Sequence, residues 1–236
     1  MKKIAAFEAA KRFIETEFTT CDGALLAGSV VRGGETETSD LDIIVFDKGL
    51  QYSYRESIIR YGWPIEVFVH NLISYRSFFA MDAAKGMPTL PRMVTDGAIL
   101  FDSGVLDDIK REAQEFINQG PPPWPEETIK LNRYILTDRL DDFLGSNNRE
   151  EDICIAVSLA SIIHEFYLRT NLQWIGESKW IYRSLNNFNP DFAARYIYAF
   201  EQFYQKFSKK EIVALAEEIL APYGGRLFEG FSLGKE

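Results

Sequence analysis

Two acids two positions apart, with a glycine–serine pair ahead of them, have the residue types and spacing most suited to chemistry in this sequence. Gly28 and Ser29 follow one short apolar run, and Asp40 and Asp42 open another, which ends at Phe46. Because side chains alternate along a strand, this spacing predicts that the two carboxylates project to the same face. Two acids on an otherwise apolar strand repel each other and lose hydration, and a divalent cation removes that cost. Oxygen ligands of this kind suit Mg²⁺, which also binds substrate phosphates.

A phosphate-binding turn and a third acid are expected beside this pair. Gly28 allows a backbone to approach a phosphate closely, the N–H groups that follow can bind an anion, and the Ser29 hydroxyl adds a donor. Glu66 interrupts the apolar run from Ile65 to His70. If that run is a strand paired in register with the strand of Asp42, the three acids meet. Such a group can hold two metal ions, or one metal ion and a general base.

Helix and strand patterns alternate before residue 120. Leu41, Ile43 and Val45 are expected to form the core face of the strand that carries the acid pair. A helix is predicted from Phe7 to Phe18, and strands are predicted at 24–27, 41–46, 65–70 and 98–101. This part therefore reads as a small mixed sheet with helices.

The proline-rich segment from Gln119 to Pro125 marks a domain boundary, because proline cannot continue a helix. We predict domains at 1–119 and 120–236. After the boundary, helical patterns cover 126–144, 153–169, 192–207 and 209–220, with Asp152 and Ser208 as expected N-caps. The predicted fold class is α+β, a small mixed-sheet domain followed by an α-helical bundle.

The amino-acid composition and the distribution of charge limit the classes of molecule that the protein is expected to bind. The net charge is −9, and it is spread evenly: residues 1–120 hold 13 basic and 18 acidic residues, and the rest hold 13 and 17. Neither half offers a basic track for a nucleic-acid backbone, so a small-molecule partner is favoured. We expect no membrane span, because the apolar run from Ile153 to Ile163 is far shorter than a spanning helix needs. Two cysteines and an N-terminus without an apolar signal region favour the cytoplasm.

At these residues the sequence resembles the nucleotidyltransferase superfamily that includes DNA polymerase β. The run Gly28-Ser-Val-Val-Arg-Gly33, followed by Ser39-Asp-Leu-Asp42, is similar to the bacterial small-molecule branch, which includes aminoglycoside and lincosamide nucleotidyltransferases. The motif covers about residues 20–70. The second half resembles, less specifically, the helical substrate domain that such enzymes often carry.

The resemblance implies an Mg²⁺-dependent transferase. It would move a nucleoside monophosphate, AMP from ATP, to a hydroxyl of a small-molecule acceptor and release pyrophosphate. Asp40, Asp42 and Glu66 would be catalytic and would bind Mg²⁺, with two ions expected when nucleotide is bound; Glu66 would be either a ligand or the general base. The nucleotide-binding residues would be Gly28, Ser29, Arg32, Ser39 and Lys179, the last in a loop that resembles a recurrent piece of the family.

Other interpretations remain open at this point. The chain could adenylylate a partner protein, or it could bind nucleotide without catalysis. Glu165, in the helical half, is an alternative general base. His70 is interpreted as a surface residue at a strand end, and His164 as a core residue. Three further acids read either as a solvated helix face or as a site for a cationic acceptor: Asp138, Asp141 and Asp142.

Overall fold

The computed structural model describes residues 3–234, and the chain divides after Gly120 into two compact units. The first contains a five-stranded mixed sheet with helices, and the second is helical. The predicted α+β class, with a sheet region ahead of a helical region, is confirmed.

The sheet of the first unit has the order β3-β4-β2-β1-β5. β2 and β4 are parallel, and the other neighbouring pairs are antiparallel. The elements of this unit, in chain order, are α1 (Ala6–Glu17), β1 (Gly23–Ala27), α2 (Gly28–Val31), β2 (Leu41–Phe46), β3 (Tyr54–Arg60), β4 (Trp63–His70), α3 (Tyr75–Lys85), α4 (Thr89–Asp96), β5 (Ala98–Asp102) and α5 (Leu106–Gln119).

The central strand β2 is covered on both faces, which differs from the single core face expected. Ile43 and Val45 pack into a cluster with α1, while Ile44 and Phe46 pack into a second cluster with residues of α3, α4 and α5. A strand buried on both faces reads as a continuous apolar run, as 43–46 does. The acid pair therefore lies where this doubly covered strand begins.

Within its described residues, which end at 234, the second unit contains five α-helices. They are α6 (Glu126–Gly145), α7 (Arg149–Thr170), α8 (Lys179–Phe188), α9 (Pro190–Lys206) and α10 (Lys210–Leu220). Helix α8 was not predicted from the sequence. Residues 176–178 of the predicted loop are not helical, but Lys179 is the first residue of the helix.

Two predicted caps of the second unit are wrong. α7 begins four residues earlier than expected, because the Asn148 side chain accepts hydrogen bonds from the backbone N–H groups of Glu150 and Glu151. Asp152 is instead buried and accepts a hydrogen bond from Lys209 Nζ at 2.7 Å. The Ser208 hydroxyl bonds the Glu211 carboxylate rather than a backbone N–H group.

Within residues 3–234, α7 is the helix whose length and composition would allow it to cross a membrane. The same features are typical of the central helix of a bundle. Ala156, Leu159 and Ile163 of α7 are fully buried, and the helix contacts α6, α8, α9 and α10. Part of its apolar surface is thus used in the packing of the second unit, whereas Ile153 and Val157 are exposed.

Candidate active site

Strand register brings the three predicted acids together. Asp42, the second residue of β2, lies opposite Glu66 of the parallel strand β4, and Asp40 directly precedes β2. One carboxylate oxygen from each of the three residues lies within 4.8 Å of the other two, and all three side chains are half-buried. We call Asp40, Asp42 and Glu66 the acidic triad.

The triad is electrostatically unfavourable on its own. Burial, together with the charges of Asp40 and Glu66, raises the pKa of Asp42 to about 6, although Arg32 and Arg55 act in the opposite direction. Such a shift means that the site disfavours the third negative charge. A cation relieves this repulsion, and a donor set made only of carboxylate oxygens suits Mg²⁺. The residues present therefore fit a divalent metal ion of this class.

Gly28 is a glycine because of Asp42. Ala27, the last residue of β1, pairs with Asp42 across the sheet, so the chain turns directly beside the carboxylate. A Cβ atom at position 28 would lie 2.1 Å from Asp42 Oδ2, and the φ of Gly28 is +82°, which favours glycine. The absence of a side chain at Gly28 therefore leaves the space that the Asp42 carboxylate occupies.

Ser29 and Ser39 are joined by a hydrogen bond. The Ser29 hydroxyl donates to Ser39 Oγ at 3.2 Å, and the backbone N–H of Thr36 donates to the same oxygen at 2.8 Å. Ser39 is buried, whereas Ser29 is half-buried. The structure thus connects the turn after β1 to the loop before the triad, and it places Ser39 as a support for that loop.

Arg32 and Lys179 lie in different units. Arg32 follows α2, and its guanidinium lies 3.6 Å from the Asp96 carboxylate at the end of α4. The charge of Arg32 also opposes the rise in the pKa of Asp42. Lys179 is the exposed first residue of α8 in the second unit. Within the first unit, Arg32 lies close enough to the acidic triad for its charge to act on Asp42.

Sequence reasoning missed Arg55. This residue lies on β3, the edge strand next to β4, and its Nη2 donates to Glu66 Oε2 at 2.5 Å. Its guanidinium also lies over the ring of Phe68, 4.9 Å from the centroid. The alternating pattern from Tyr54 to Arg60 is weak, because most of the strand is exposed. Without the strand, nothing in the sequence placed Arg55 beside Glu66.

Three other titratable residues singled out in the sequence, His70, His164 and Glu165, are buried or half-buried away from solvent. The expectation that His70 is a surface residue is wrong: it is buried at the end of β4, its ring packs against Phe78, and burial lowers its pKa to about 4. His164 is buried within the second unit, as expected for a core residue. Glu165 is half-buried there, and burial raises its pKa.

Three exposed acids of α6, Asp138, Asp141 and Asp142, are paired with arginines. Arg139 Nη1 lies 2.8 Å from Asp138 and 3.5 Å from Asp142, and Arg226 donates to Asp141 at 2.9 Å. This arrangement matches the interpretation of a solvated helix face.

Comparison with known proteins finds similarity to solved structures. No protein-family model matches the chain, and no curated protein matches it. The chain is similar to a nucleotidyltransferase-like protein from Exiguobacterium sibiricum 255-15, with 12% sequence identity and a TM-score of 0.46. The aligned region covers 90% of this chain and 74% of the other.

Proposed function

We propose that this protein is a nucleotidyltransferase that moves a nucleoside monophosphate from a nucleoside triphosphate to a hydroxyl group of a small-molecule acceptor. AMP from ATP is the proposed donor group. The observation that carries the proposal is the convergence of Asp40, Asp42 and Glu66 within 4.8 Å, beside the turn that begins at Gly28 after the strand residue paired with Asp42. The cytoplasm is the proposed location.

Asp40 and Asp42 are proposed to hold Mg²⁺, with Glu66 either as a third ligand or as the general base. When bound, the ion would neutralise negative charge on the triphosphate oxygens, including those of the phosphoryl group under attack. Asp42 lies in β2, Asp40 directly precedes that strand, and Glu66 lies in the neighbouring strand β4. The sheet therefore positions the three carboxylates. Positioning of this kind is what phosphoryl transfer requires of a protein.

The remaining site residues would orient the reactants. Gly28 leaves space beside Asp42, and Ser29 presents its hydroxyl on a turn that Ser39 supports. In the transfer, the acceptor oxygen forms a bond to the α-phosphorus, and the bond to the β-phosphate breaks so that pyrophosphate leaves with the electron pair. The hydroxyl proton passes to a carboxylate. Within the first unit Glu66 is the candidate base, and Arg55 holds one of its oxygens.

A turnover screen tests the proposal. The full chain is incubated with Mg²⁺, ATP or another nucleoside triphosphate, and pools of hydroxylated small molecules, and both pyrophosphate and the mass of the product are measured. We expect pyrophosphate release that depends on an acceptor and on Mg²⁺, with a product heavier by one nucleotide. Modification of added proteins but of no small molecule would support the protein-adenylylating alternative.

Thermal unfolding separates binding from catalysis. We expect Mg²⁺ and ATP together to raise Tm more than either ligand alone, because ligands that bind only the folded state stabilise it by mass action. Asp42→Asn should lose most of this joint shift, whereas Asp142→Asn, an exposed acid of α6, should retain it. A joint shift without turnover would favour a protein that binds nucleotide only, and no shift with any nucleoside triphosphate would refute the proposal.

A further inference from the structure

Arg55 reaches the acidic triad from the edge strand of the sheet. Its Nη2 atom donates to Glu66 Oε2 at 2.5 Å. In the antiparallel pairing of β3 with β4, Ser57 lies opposite Glu66 and Arg55 lies opposite Phe68. Because side chains alternate along a strand, Arg55 is on the same face of the sheet as Glu66, one residue pair further along. The ion pair thus links one acid of the triad to a cation of the neighbouring strand.

A second contact holds the Arg55 guanidinium in this position. The group lies over the ring of Phe68, 4.9 Å from the centroid. Guanidinium groups stack favourably on aromatic faces, and Phe68 is the residue paired with Arg55 across the two strands. The Glu66 side chain is 27% exposed, so the ion pair is screened by water less than a pair between fully exposed groups. Two contacts therefore direct the guanidinium toward Glu66.

The position of Arg55 bears on which acids can hold a metal ion. One oxygen of each triad acid lies within 4.8 Å of the other two, so an ion bound by all three would share the Glu66 carboxylate with the guanidinium. Two cations on one carboxylate repel each other, and the charge-assisted hydrogen bond to Arg55 would compete with the metal for Glu66. Asp42 is farther from this cation across the sheet, because β4 lies between β3 and β2. A metal ion is therefore favoured at Asp40 and Asp42.

We propose that Arg55 is a positioning residue that keeps Glu66 out of the metal coordination shell, so that Asp40 and Asp42 hold the ion and Glu66 serves as the general base. This inference rests on the proposed function and decides between the ligand and base roles of Glu66. The acceptor hydroxyl would give its proton to Glu66 while its oxygen bonds the α-phosphorus and pyrophosphate leaves. A carboxylate that is not bound to the metal keeps lone pairs for this proton.

Binding of Mn²⁺ alone to the full chain tests whether Arg55 excludes the metal from Glu66. Mn²⁺ takes the same oxygen ligands as Mg²⁺, and its free form is measured by electron paramagnetic resonance. We expect Arg55→Gln to tighten Mn²⁺ binding about tenfold, because the variant removes a repelling cation and releases a carboxylate to the metal. Arg55→Lys retains the charge and should stay within about threefold of the wild type.

Arg60→Gln is the matched control. Arg60 is an exposed residue of the same strand, and the odd spacing of five residues places it on the opposite face from Arg55. The control removes one arginine charge from β3 without freeing Glu66, so Mn²⁺ affinity should change by less than about twofold.

The number of water molecules on bound Mn²⁺, measured by ¹⁷O relaxation of water, distinguishes release of Glu66 from a general change in charge. We expect about one fewer water in Arg55→Gln than in the wild type, because a carboxylate oxygen replaces it. Adding Arg55→Gln to a Glu66→Gln variant should leave the number unchanged. A water that is lost without the Glu66 carboxylate would contradict the inference.

A second variant decides the question even if Arg55→Gln fails to fold. The Arg55 side chain is 57% exposed, so we expect the variant to fold, and thermal unfolding checks this. In the chain that keeps Arg55, Glu66→Gln should leave the number of waters on bound Mn²⁺ unchanged, because Glu66 is not a ligand. Asp42→Asn should instead greatly weaken the binding of Mn²⁺.

The outcomes separate this inference from the proposed function. If Arg55→Gln weakens Mn²⁺ binding or leaves it unchanged, or if Glu66→Gln adds a water to the bound ion, the inference is overturned and the nucleotidyltransferase proposal stands. If the wild type binds no Mn²⁺ alone, the inference is also overturned, and acceptor-dependent release of pyrophosphate decides the proposed function independently.

Discussion

Each of the two units carries three acids close together, and their surroundings differ. In the first unit, the carboxylates of Asp40, Asp42 and Glu66 converge and are half-buried. In the second unit, Asp138, Asp141 and Asp142 of α6 are exposed, and each lies beside an arginine. The pKa of Asp42 rises to about 6 as a result of burial and of its two acidic neighbours.

This difference shows what makes an acidic cluster chemically informative. Exposed ion pairs between carboxylates and arginines are screened by water and contribute little to the stability of the fold. Carboxylates held together away from water store repulsion that a cation can relieve. A count of acids in the sequence treats both groups alike, and only burial and convergence distinguish them.

The largest expected effect is on catalysis. Asp42→Asn should lower the rate of acceptor-dependent pyrophosphate release about a thousandfold, because it removes charge from the proposed metal site. Asp142→Asn, which removes a charge from the exposed α6 group, should change that rate less than about twofold. Comparable losses in the two variants would abolish the distinction between the clusters.

The glycine beside each acidic group provides the next comparison. Gly28→Ala should destabilise the protein by roughly 2–4 kcal/mol, since its Cβ would lie 2.1 Å from Asp42 Oδ2 at a φ of +82°. Gly145, at the end of α6, has no atom within 4 Å of such a Cβ. Gly145→Ala should therefore change the free energy of unfolding by less than about 1 kcal/mol. Denaturant unfolding measures the free energy of unfolding of both variants. A Gly28→Ala variant as stable as the wild type would contradict the close packing of Gly28 against Asp42.

Burial should also control the pH dependence of the first unit through His70. Its pKa is about 4 when folded and 6.5 when unfolded, so the unfolded state binds the proton more readily between these values. Stability from the neutral histidine is therefore complete above pH 6.5 and is lost as the pH falls toward 4. Between pH 7.5 and 4.5 the loss should reach about 2–3 kcal/mol.

The control for this prediction is His70→Gln, which should lose less stability than the wild type over the same pH range. NMR titration gives a direct check, because the chain has two histidines. A His70 resonance that titrates near its ordinary value would mean that the residue is not desolvated.

The smallest expected effect is an opposite change in stability at the two clusters without metal. In EDTA near neutral pH, Asp42→Asn should stabilise the protein by on the order of 1–3 kcal/mol, because it removes a desolvated, repelled charge. Asp141→Asn should destabilise it by less than about 1 kcal/mol, because it removes an exposed ion pair with Arg226. Equal signs in the two measurements would contradict the electrostatic comparison.

Local pattern predicted much of the first unit. The apolar run of β2 is observed at the predicted residues, and the alternation around Asp40 and Asp42 predicted two carboxylates at its start. The requirement for glycine at position 28 was foreseen, but for a phosphate rather than for the space taken by Asp42. These features are visible in sequence because they depend on side-chain periodicity and on short-range chain geometry.

Elements with weak periodicity were missed. β3 is mostly exposed and lies at the sheet edge, so its residues are under little demand to alternate. Asn148 and Asp152 are both plausible caps by residue type. In the structure Asn148 caps α7, and Asp152 lies inside the helix, where it accepts a hydrogen bond from the half-buried Lys209.

The sequence by itself determined which residues could bind a metal ion and a phosphate, because residue type and strand alternation are local properties. Only the tertiary structure decided that β4 lies parallel to β2 with Glu66 opposite Asp42. It also decided that Arg55 pairs with Glu66 and that Arg32 pairs with Asp96. Strand order and register depend on how distant segments share one core, and 23 residues separate Asp42 from the acid that it meets. Contacts at that range are selected by packing of the whole unit rather than by the residues on either side.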